Sequence, residues 1–120
     1  MMKLITEAQQ QKLLENGQRN AARLAEGESE LDLVPVVKLF TPDGAATWLL
    51  TEVDPEEPDI AFGLRDLGFG CPELGSVRIS EIASVRGKLG LPAERDRYFH
   101  PTKPLSAFAD EARTRGRIVA

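Results

Sequence analysis

The residues between Glu81 and Phe99 are the part of this chain best suited to chemistry, because charged, glycine and proline positions interrupt any regular apolar period. Within them, Arg86-Gly87-Lys88-Leu89-Gly90 is a basic, glycine-spaced run. Exposed backbone amides beside two cations can hold a phosphate or carboxylate group, so Arg86 and Lys88 are predicted binding residues. The run lacks the Gly-Lys-Ser/Thr ending of a nucleotide-binding loop, which argues against nucleotide hydrolysis. The alternative is a tight structural loop whose glycines adopt positive φ.

Two further arginines, Arg95 and Arg97, alternate with acidic residues in the run Glu94-Arg95-Asp96-Arg97. This pattern is typical either of solvated surface pairs, which contribute about 0–1 kcal/mol each, or of arginines that neighbouring carboxylates orient. As an exposed surface, the segment makes Arg95 and Arg97 predicted binding residues. As a buried network, it would be fastened to the sheet by Arg95 paired with Glu81 or Glu52.

Two aromatic residues are predicted to be exposed, because glycines flank Phe69 and charged residues precede Tyr98. Exposed aromatic side chains serve as anchors in protein interfaces and as stacking surfaces for nucleic-acid bases. By contrast, Phe40, Trp48 and Phe62 fall at strand positions that suit a buried core.

Three carboxylates, Glu52, Glu81 and Glu94, are the candidates for acid/base catalysis. With Arg86 or Arg95 holding an anionic group, they describe an enzyme that acts on a phosphorylated or sugar-like ligand. The sequence contains no complete catalytic motif, which favours a noncatalytic protein, and the enzyme is therefore the alternative hypothesis.

Metal and cofactor chemistry receives no support from the composition. Cys71 is the single cysteine and His100 the single histidine, which excludes internal disulfides, cysteine-rich zinc sites and histidine pairs. A metal site would have to be built from carboxylates. We predict no metal site and no cofactor.

The 120 residues, 42% hydrophobic and 28% charged, predict one globular domain over 1–120 with flexible ends at 1–3 and 116–120. No apolar run approaches the roughly 20 residues that cross a bilayer, so a cytoplasmic protein without membrane contact is expected.

The charges are unevenly distributed along the chain. Residues 1–77 carry 6 Lys or Arg and 14 Asp or Glu, a net charge of −8, whereas residues 78–120 carry 9 Lys or Arg and 5 Asp or Glu, a net charge of +4. Such separation indicates either a basic face for an anionic partner or contact between the two parts of the chain.

The predicted elements are an N-terminal helix over the first 25 residues, capped by Thr6 with Gln9 in a capping box, and a C-terminal helix over Leu105–Arg115. Gly17 is a predicted break or bend in the first helix. Thr41-Pro42-Asp43-Gly44 predicts a tight turn between the first two of four strands. These strands cover 34–40, 46–53, 59–65 and 76–79. The fold class is therefore α+β: an antiparallel four-stranded meander, an irregular charged segment, and helices on one face of the sheet.

The chain also resembles a known family. The residues that carry the resemblance are Lys38-Leu39-Phe40-Thr41-Pro42, Thr47-Trp48, Thr51-Glu52-Val53-Asp54-Pro55, Phe62-Gly63, Pro72-Glu73-Leu74-Gly75, Glu81, Ser84-Val85-Arg86-Gly87, Gly90-Leu91-Pro92 and Glu94-Arg95-Asp96. Together, from about Leu4 to Leu105, they resemble an uncharacterised bacterial family of small proteins, catalogued as a domain of unknown function and met on plasmids and other mobile elements. The resemblance implies a shared fold, but the family brings no established activity and no catalytic residues to carry over. One departure is Lys88, where a proline is common in the family.

The sequence therefore predicts a small noncatalytic binding module, linked to a mobile element, that contacts a protein or nucleic-acid partner. Its contacts lie in the Gly68–Gly75 turn and the Arg86–Arg97 segment, because irregular segments on a rigid sheet commonly carry function. The partner's identity and the oligomeric state do not follow from the sequence.

Overall fold

The computed structural model describes residues 4–120, so the predicted flexibility of 1–3 lies outside the described residues. The elements in chain order are α1 (Glu7–Ala25), β1 (Val37–Phe40), β2 (Thr47–Val53), β3 (Ile60–Asp66), β4 (Glu73–Arg78), α2 (Ile79–Ser84), β5 (Glu94–Arg95) and α3 (Leu105–Arg115). The chain is α+β, as predicted. At its C-terminal end Ile118 is buried and donates its amide to Asp66 Oδ2 over 3.0 Å.

The first helix begins with the predicted capping box. The Gln9 amide donates to Thr6 Oγ1 over 3.1 Å, and the Thr6 amide donates to Gln9 Oε1 over 3.0 Å. The helix then runs without a break to Ala25, so the predicted break at Gly17 is wrong. Gly17 instead lies against β2, where a Cβ would be 1.9 Å from the Val53 carbonyl oxygen. Its missing side chain lets the helix and the strand approach closely.

The sheet has five strands in the order β4-β3-β2-β1-β5, all antiparallel. Strands β1 to β4 form the predicted meander. The fifth strand comes from the segment predicted to be irregular: Arg95 lies opposite Leu39 and Glu94 opposite Phe40. This short strand attaches the charged segment to one edge of the sheet.

The helices cover both faces of the sheet, and the prediction of one covered face is wrong. Trp48 and Leu50 point towards α1 and belong to one buried cluster, whereas Leu49 and Leu64 pack with α3 residues such as Phe108 in a second cluster. A strand buried on both faces has apolar residues at successive positions, not at alternate ones. The run Trp48-Leu49-Leu50 shows this pattern.

A side chain of α1 forms a hydrogen bond with the main chain of β2 near the end of this strand. The ladder between β1 and β2 ends where Val37 lies opposite Leu50, and the register of β2 against β3 shifts by one residue at Thr51. Backbone groups beyond this point need another partner, because buried polar groups are costly when unpaired. Asn16 supplies one: its Nδ2 donates to the Thr51 carbonyl over 2.9 Å.

Within residues 4–120, no helix is long and apolar enough to span a membrane.

Candidate functional site

The basic loop of residues 86–92 already holds an anionic group, and that group is the side chain of Asp43. The Leu89 and Leu91 amides donate to Asp43 Oδ2 over 2.7 and 3.2 Å. A Cβ on Gly87 would lie 1.7 Å from Asp43 Oδ1, so glycine is needed for the carboxylate to fit. The loop thus binds a carboxylate through the Leu89 and Leu91 amides, and this carboxylate comes from the turn between β1 and β2. Sequence reasoning assigned Asp43 to that turn and missed this second role.

The two cations of the loop have different surroundings. Arg86 is exposed, yet its Nη1 donates to the Ala83 and Val85 carbonyls over 2.9 and 2.8 Å at the end of α2. Lys88 is exposed at the tip, beside Leu89, whose side chain is 81% exposed. The alternative prediction was a tight structural loop whose glycines adopt positive φ. Gly90 does so, with a φ of 80°, whereas Gly87 does not.

Residues 94–98 combine ordered contacts with exposed side chains. Arg95 is half-buried and its Nη1 donates to the Leu4 carbonyl over 3.1 Å. The Asp96 amide donates to the Lys38 carbonyl over 2.9 Å, and its Oδ2 lies 3.3 Å from Lys38 Nζ. Arg97 and Tyr98 are exposed, Tyr98 by 88%. Arg95 and Asp96 are therefore attached to Leu4 and Lys38, respectively.

One end of the sheet brings three turns together. Gly68, in the turn between β3 and β4, lies against Ala45 of the β1–β2 turn. The approach is so close that a Cβ on Gly68 would be 2.7 Å from the Ala45 Cβ. The same β1–β2 turn contacts the loop of residues 86–92 through Asp43. We call this region, residues 41–46, 67–72 and 86–92, the turn end. It carries four large exposed apolar side chains: Phe69 at 84% and Leu89 at 81% are the most exposed, and Leu67 and Leu91 are 45% and 44% exposed.

Tyr98 and Arg97 are not part of the turn end. The β5 strand runs antiparallel to β1, so Glu94 lies opposite Phe40 near the turn and the Asp96 amide pairs further along, with Lys38. Tyr98 follows two residues later, away from the β1–β2 turn. The predicted binding residues therefore divide between two parts of the surface.

The three candidate catalytic carboxylates do not converge. Glu81 is exposed on α2 and Glu94 is exposed on β5. Glu52, on β2, is half-buried and lines two adjoining cavities of about 180 and 340 Å³. Neither cavity is lined by Arg86 or Arg95. Within the described part of the chain, no group of three or more His, Cys, Asp or Glu side chains is placed to hold a metal ion.

Glu52 belongs to a hydrogen-bonded network that the sequence analysis missed. Asn20 Nδ2 donates to Glu52 Oε1 over 2.8 Å, and Asn20 Oδ1 accepts the Leu31 amide over 2.8 Å. The side chain of Asn20 thus joins α1, β2 and the linker that follows the helix. A signal was present in the sequence, because Asn16 and Asn20 are four residues apart and share the buried face of α1 with Leu13.

Burial raises the pKa of Glu52 above its ordinary value of 4.5, the hydrogen bond from Asn20 lowers it by less, and the charge of Glu30 raises it. The carboxyl group is neutral in both the folded and the unfolded chain well below pH 4.5. As the pH rises through the higher pKa of the folded state, folding is opposed, because burial disfavours the ionised group.

We expect Glu52→Gln to remove this loss of stability. The amide keeps an oxygen for Asn20 and does not ionise, so the variant should gain stability relative to the parent protein as the pH rises from about 4 to about 7. Urea unfolding at several pH values measures the difference. Glu81→Gln, the same substitution at an exposed carboxylate, is the control. A constant difference for Glu52→Gln would show that Glu52 ionises as easily in the folded as in the unfolded chain.

A protein-family model described as "Protein of unknown function (DUF2958)" matches residues 4–119. No curated protein and no solved structure matches the chain.

Proposed function

The chain belongs to the DUF2958 family of proteins of unknown function, and from its own geometry we propose that it is a noncatalytic interaction module that contacts a partner protein through the turn end. One observation carries the proposal: Phe69 and Leu89 are 84% and 81% exposed on turns that are held in place. Large apolar side chains that stay exposed on rigid turns are typical anchors of protein interfaces.

Carboxylates hold both turns. Asp66 is buried, and its Oδ1 accepts the Gly68 amide over 2.8 Å beside Phe69. Asp43 accepts the Leu89 and Leu91 amides. Preorganised loops lose less conformational entropy on binding than flexible loops, so more of the contact energy appears as affinity.

A protein partner is favoured over a nucleic acid. Nucleic-acid surfaces need several cations that are available to phosphates. At the turn end Arg86 Nη1 already donates to two main-chain carbonyls, and Asp43 already accepts the Leu89 and Leu91 amides. The mobile-element setting implied by the resemblance is part of the proposal: the partner is encoded by such an element or by its host.

Site-specific photo-crosslinking tests the proposal. A photo-reactive phenylalanine analogue in place of Phe69 or Leu89 should yield a discrete protein adduct in cells that carry the element. The matched control places the analogue at Tyr98, which is equally exposed but lies outside the turn end, and should yield none. With the adduct identified, Phe69→Ser and Leu89→Ser should each weaken binding by about tenfold or more, and Tyr98→Ser by much less.

Two results would contradict the proposal. An adduct from Tyr98 alone would show that the partner contacts residues 94–98 and not the turn end. Salt-sensitive binding of labelled DNA or RNA, lost in Arg86→Ala/Lys88→Ala, would identify a nucleic-acid partner, because counterion release makes such binding depend steeply on salt.

An enzyme acting on a sugar-like ligand is the second candidate, and Glu52 is the observation that favours it. A half-buried carboxyl group with a raised pKa, beside a second carboxylate in a concavity, has the properties of a general acid. Neither concavity is lined by an arginine or a lysine, so a phosphorylated ligand is disfavoured. Turnover of neutral glycosides that is lost in Glu52→Gln would support this candidate over the first.

A further inference from the structure

A groove lies at the end of β2 opposite to the turn end, between residues of α1, the linker that follows it, the sheet and the start of α3. It consists of the two cavities that adjoin at Glu30, Glu52 and Phe62, with volumes of about 340 and 180 Å³. We call it the acid-lined groove. Pockets that enclose a small molecule have volumes of roughly 300–1,000 Å³. The smaller cavity is below this range, and the larger cavity is near its lower limit. Cavities of this size suit single side chains of a larger partner.

Apolar side chains form much of the groove. Phe62, predicted from the sequence to be core, is 37% exposed here, because α3 covers Leu64 on the same strand but leaves Phe62 open. Leu24 in the larger cavity is 55% exposed, and Leu74 in the smaller is 42% exposed. Exposed apolar groups grouped in a concavity are typical of a docking surface.

The polar lining has one sign of charge. Four carboxylates line the groove, those of Glu30, Asp32, Glu52 and Asp54, and no Lys, Arg or His side chain does. Asp32 is occupied, because its carboxylate accepts the amide and the hydroxyl of Ser106 at the start of α3. Glu30 has no ion-pair or hydrogen-bond partner among residues 4–120. The groove therefore presents negative charge beside apolar surface.

We propose that the acid-lined groove binds a cationic peptide segment of a partner protein, in which Lys or Arg residues flank a large apolar residue. The apolar residue packs on Phe62 and enters one cavity, while its basic neighbours pair with Glu30 and Glu52. Charge complementarity selects this occupant. The phosphates of a nucleic acid would face like charges, and a small polyamine would leave Phe62 and Leu74 without apolar contact.

NMR titration of the ¹⁵N-labelled protein tests the proposal, and it does so independently of the turn end. The probe is a short peptide of alternating lysine and phenylalanine. We expect saturable shifts at the amides of Glu52, Phe62 and Leu74, and none at Phe69 or Leu89. Two matched peptides, with glutamate in place of lysine or serine in place of phenylalanine, should bind at least about tenfold more weakly.

Variants then separate the two contributions. Glu30→Gln/Glu52→Gln should weaken binding of the lysine peptide by about tenfold and reduce its salt dependence, whereas Phe62→Ser should weaken it at every salt concentration. Glu81→Gln, the same change outside the groove, should have no effect. Unshifted amides far from the groove establish that each variant is folded.

Several outcomes would overturn the proposal. Equally strong binding of the glutamate peptide would contradict the role of charge. Shifts confined to residues outside the groove would place the peptide elsewhere. Groove amides that shift with protein concentration alone would identify a second copy of the chain as the occupant, and groove shifts with an oligonucleotide would identify a nucleic acid.

Discussion

Leu49→Ala is expected to lower the free energy of unfolding by about 3 kcal/mol, within the range of about 2–5 kcal/mol for a fully buried leucine. Leu49 is 0% exposed and packs with Leu64 and α3 on the sheet face opposite to α1. Truncation removes apolar contacts and leaves a cavity that a sheet held between two helices cannot easily close. Urea unfolding followed by circular dichroism measures the change.

The matched control is Leu74→Ala. Leu74 lies on the same face of the sheet, on the edge strand β4, but is 42% exposed. Its truncation should cost less than about 1 kcal/mol, since much of the side chain contacts water in the folded protein. Equal and small effects at the two positions would contradict a sheet covered on both faces, because they would show that Leu49 is not buried under α3.

Gly17→Ala is expected to destabilise the protein by about 2–3 kcal/mol, the upper part of the range for inserting a methyl group into a packed contact. Helix propensity alone predicts the opposite sign, because alanine is favoured over glycine inside a helix by about 1 kcal/mol. The contact outweighs the propensity: the new Cβ would lie 1.9 Å from the Val53 carbonyl oxygen and 3.1 Å from its carbon. Both neighbours are main-chain atoms, so relief requires α1 to move away from β2.

Such a movement has a local signature. It would lengthen the hydrogen bond from Asn16 to the Thr51 carbonyl and that from Asn20 to Glu52, so the amides of β2 beyond Leu50 should exchange hydrogen faster. Gly75→Ala is the control, because a Cβ there meets no atom within 4 Å; its effect should be within about 0.5 kcal/mol. A stabilised Gly17→Ala protein would show that the helix and the strand are not in close contact.

The two proposed surfaces lie at opposite ends of the same strand. Strand β2 begins at Thr47, beside the turn end, and ends at Val53, beside the acid-lined groove. The turn end presents exposed apolar residues on fixed loops, and the groove presents apolar and acidic residues in a concavity. The two proposals together predict that the chain binds two partners at once, and the two sets of variants test each surface separately.

Local signals in the sequence were sufficient for most elements. The capping box at Thr6, the apolar spacing of residues 105–115 and the Pro-Asp-Gly turn each involve residues within a few positions of one another. The bounds of α3 agree with the prediction at both ends, and the four-stranded meander is approximately right. Its fifth strand was missed because a two-residue strand has no periodicity to detect; pairing with β1 alone defines it.

The candidate sites depended on contacts that no local pattern encodes. Asp43 binds the amide of Leu89 across 46 positions of the chain, and Asn20 binds Glu52 across 32. The sequence by itself determined the helices, the meander and a basic glycine-spaced loop suited to an anion, because backbone propensity and side-chain periodicity act over a few residues. Only the tertiary structure decided which anion fills that loop, which face of β2 each helix covers and which carboxylates line a groove. Those outcomes follow from packing between distant segments, where burial and charge are properties of the folded chain.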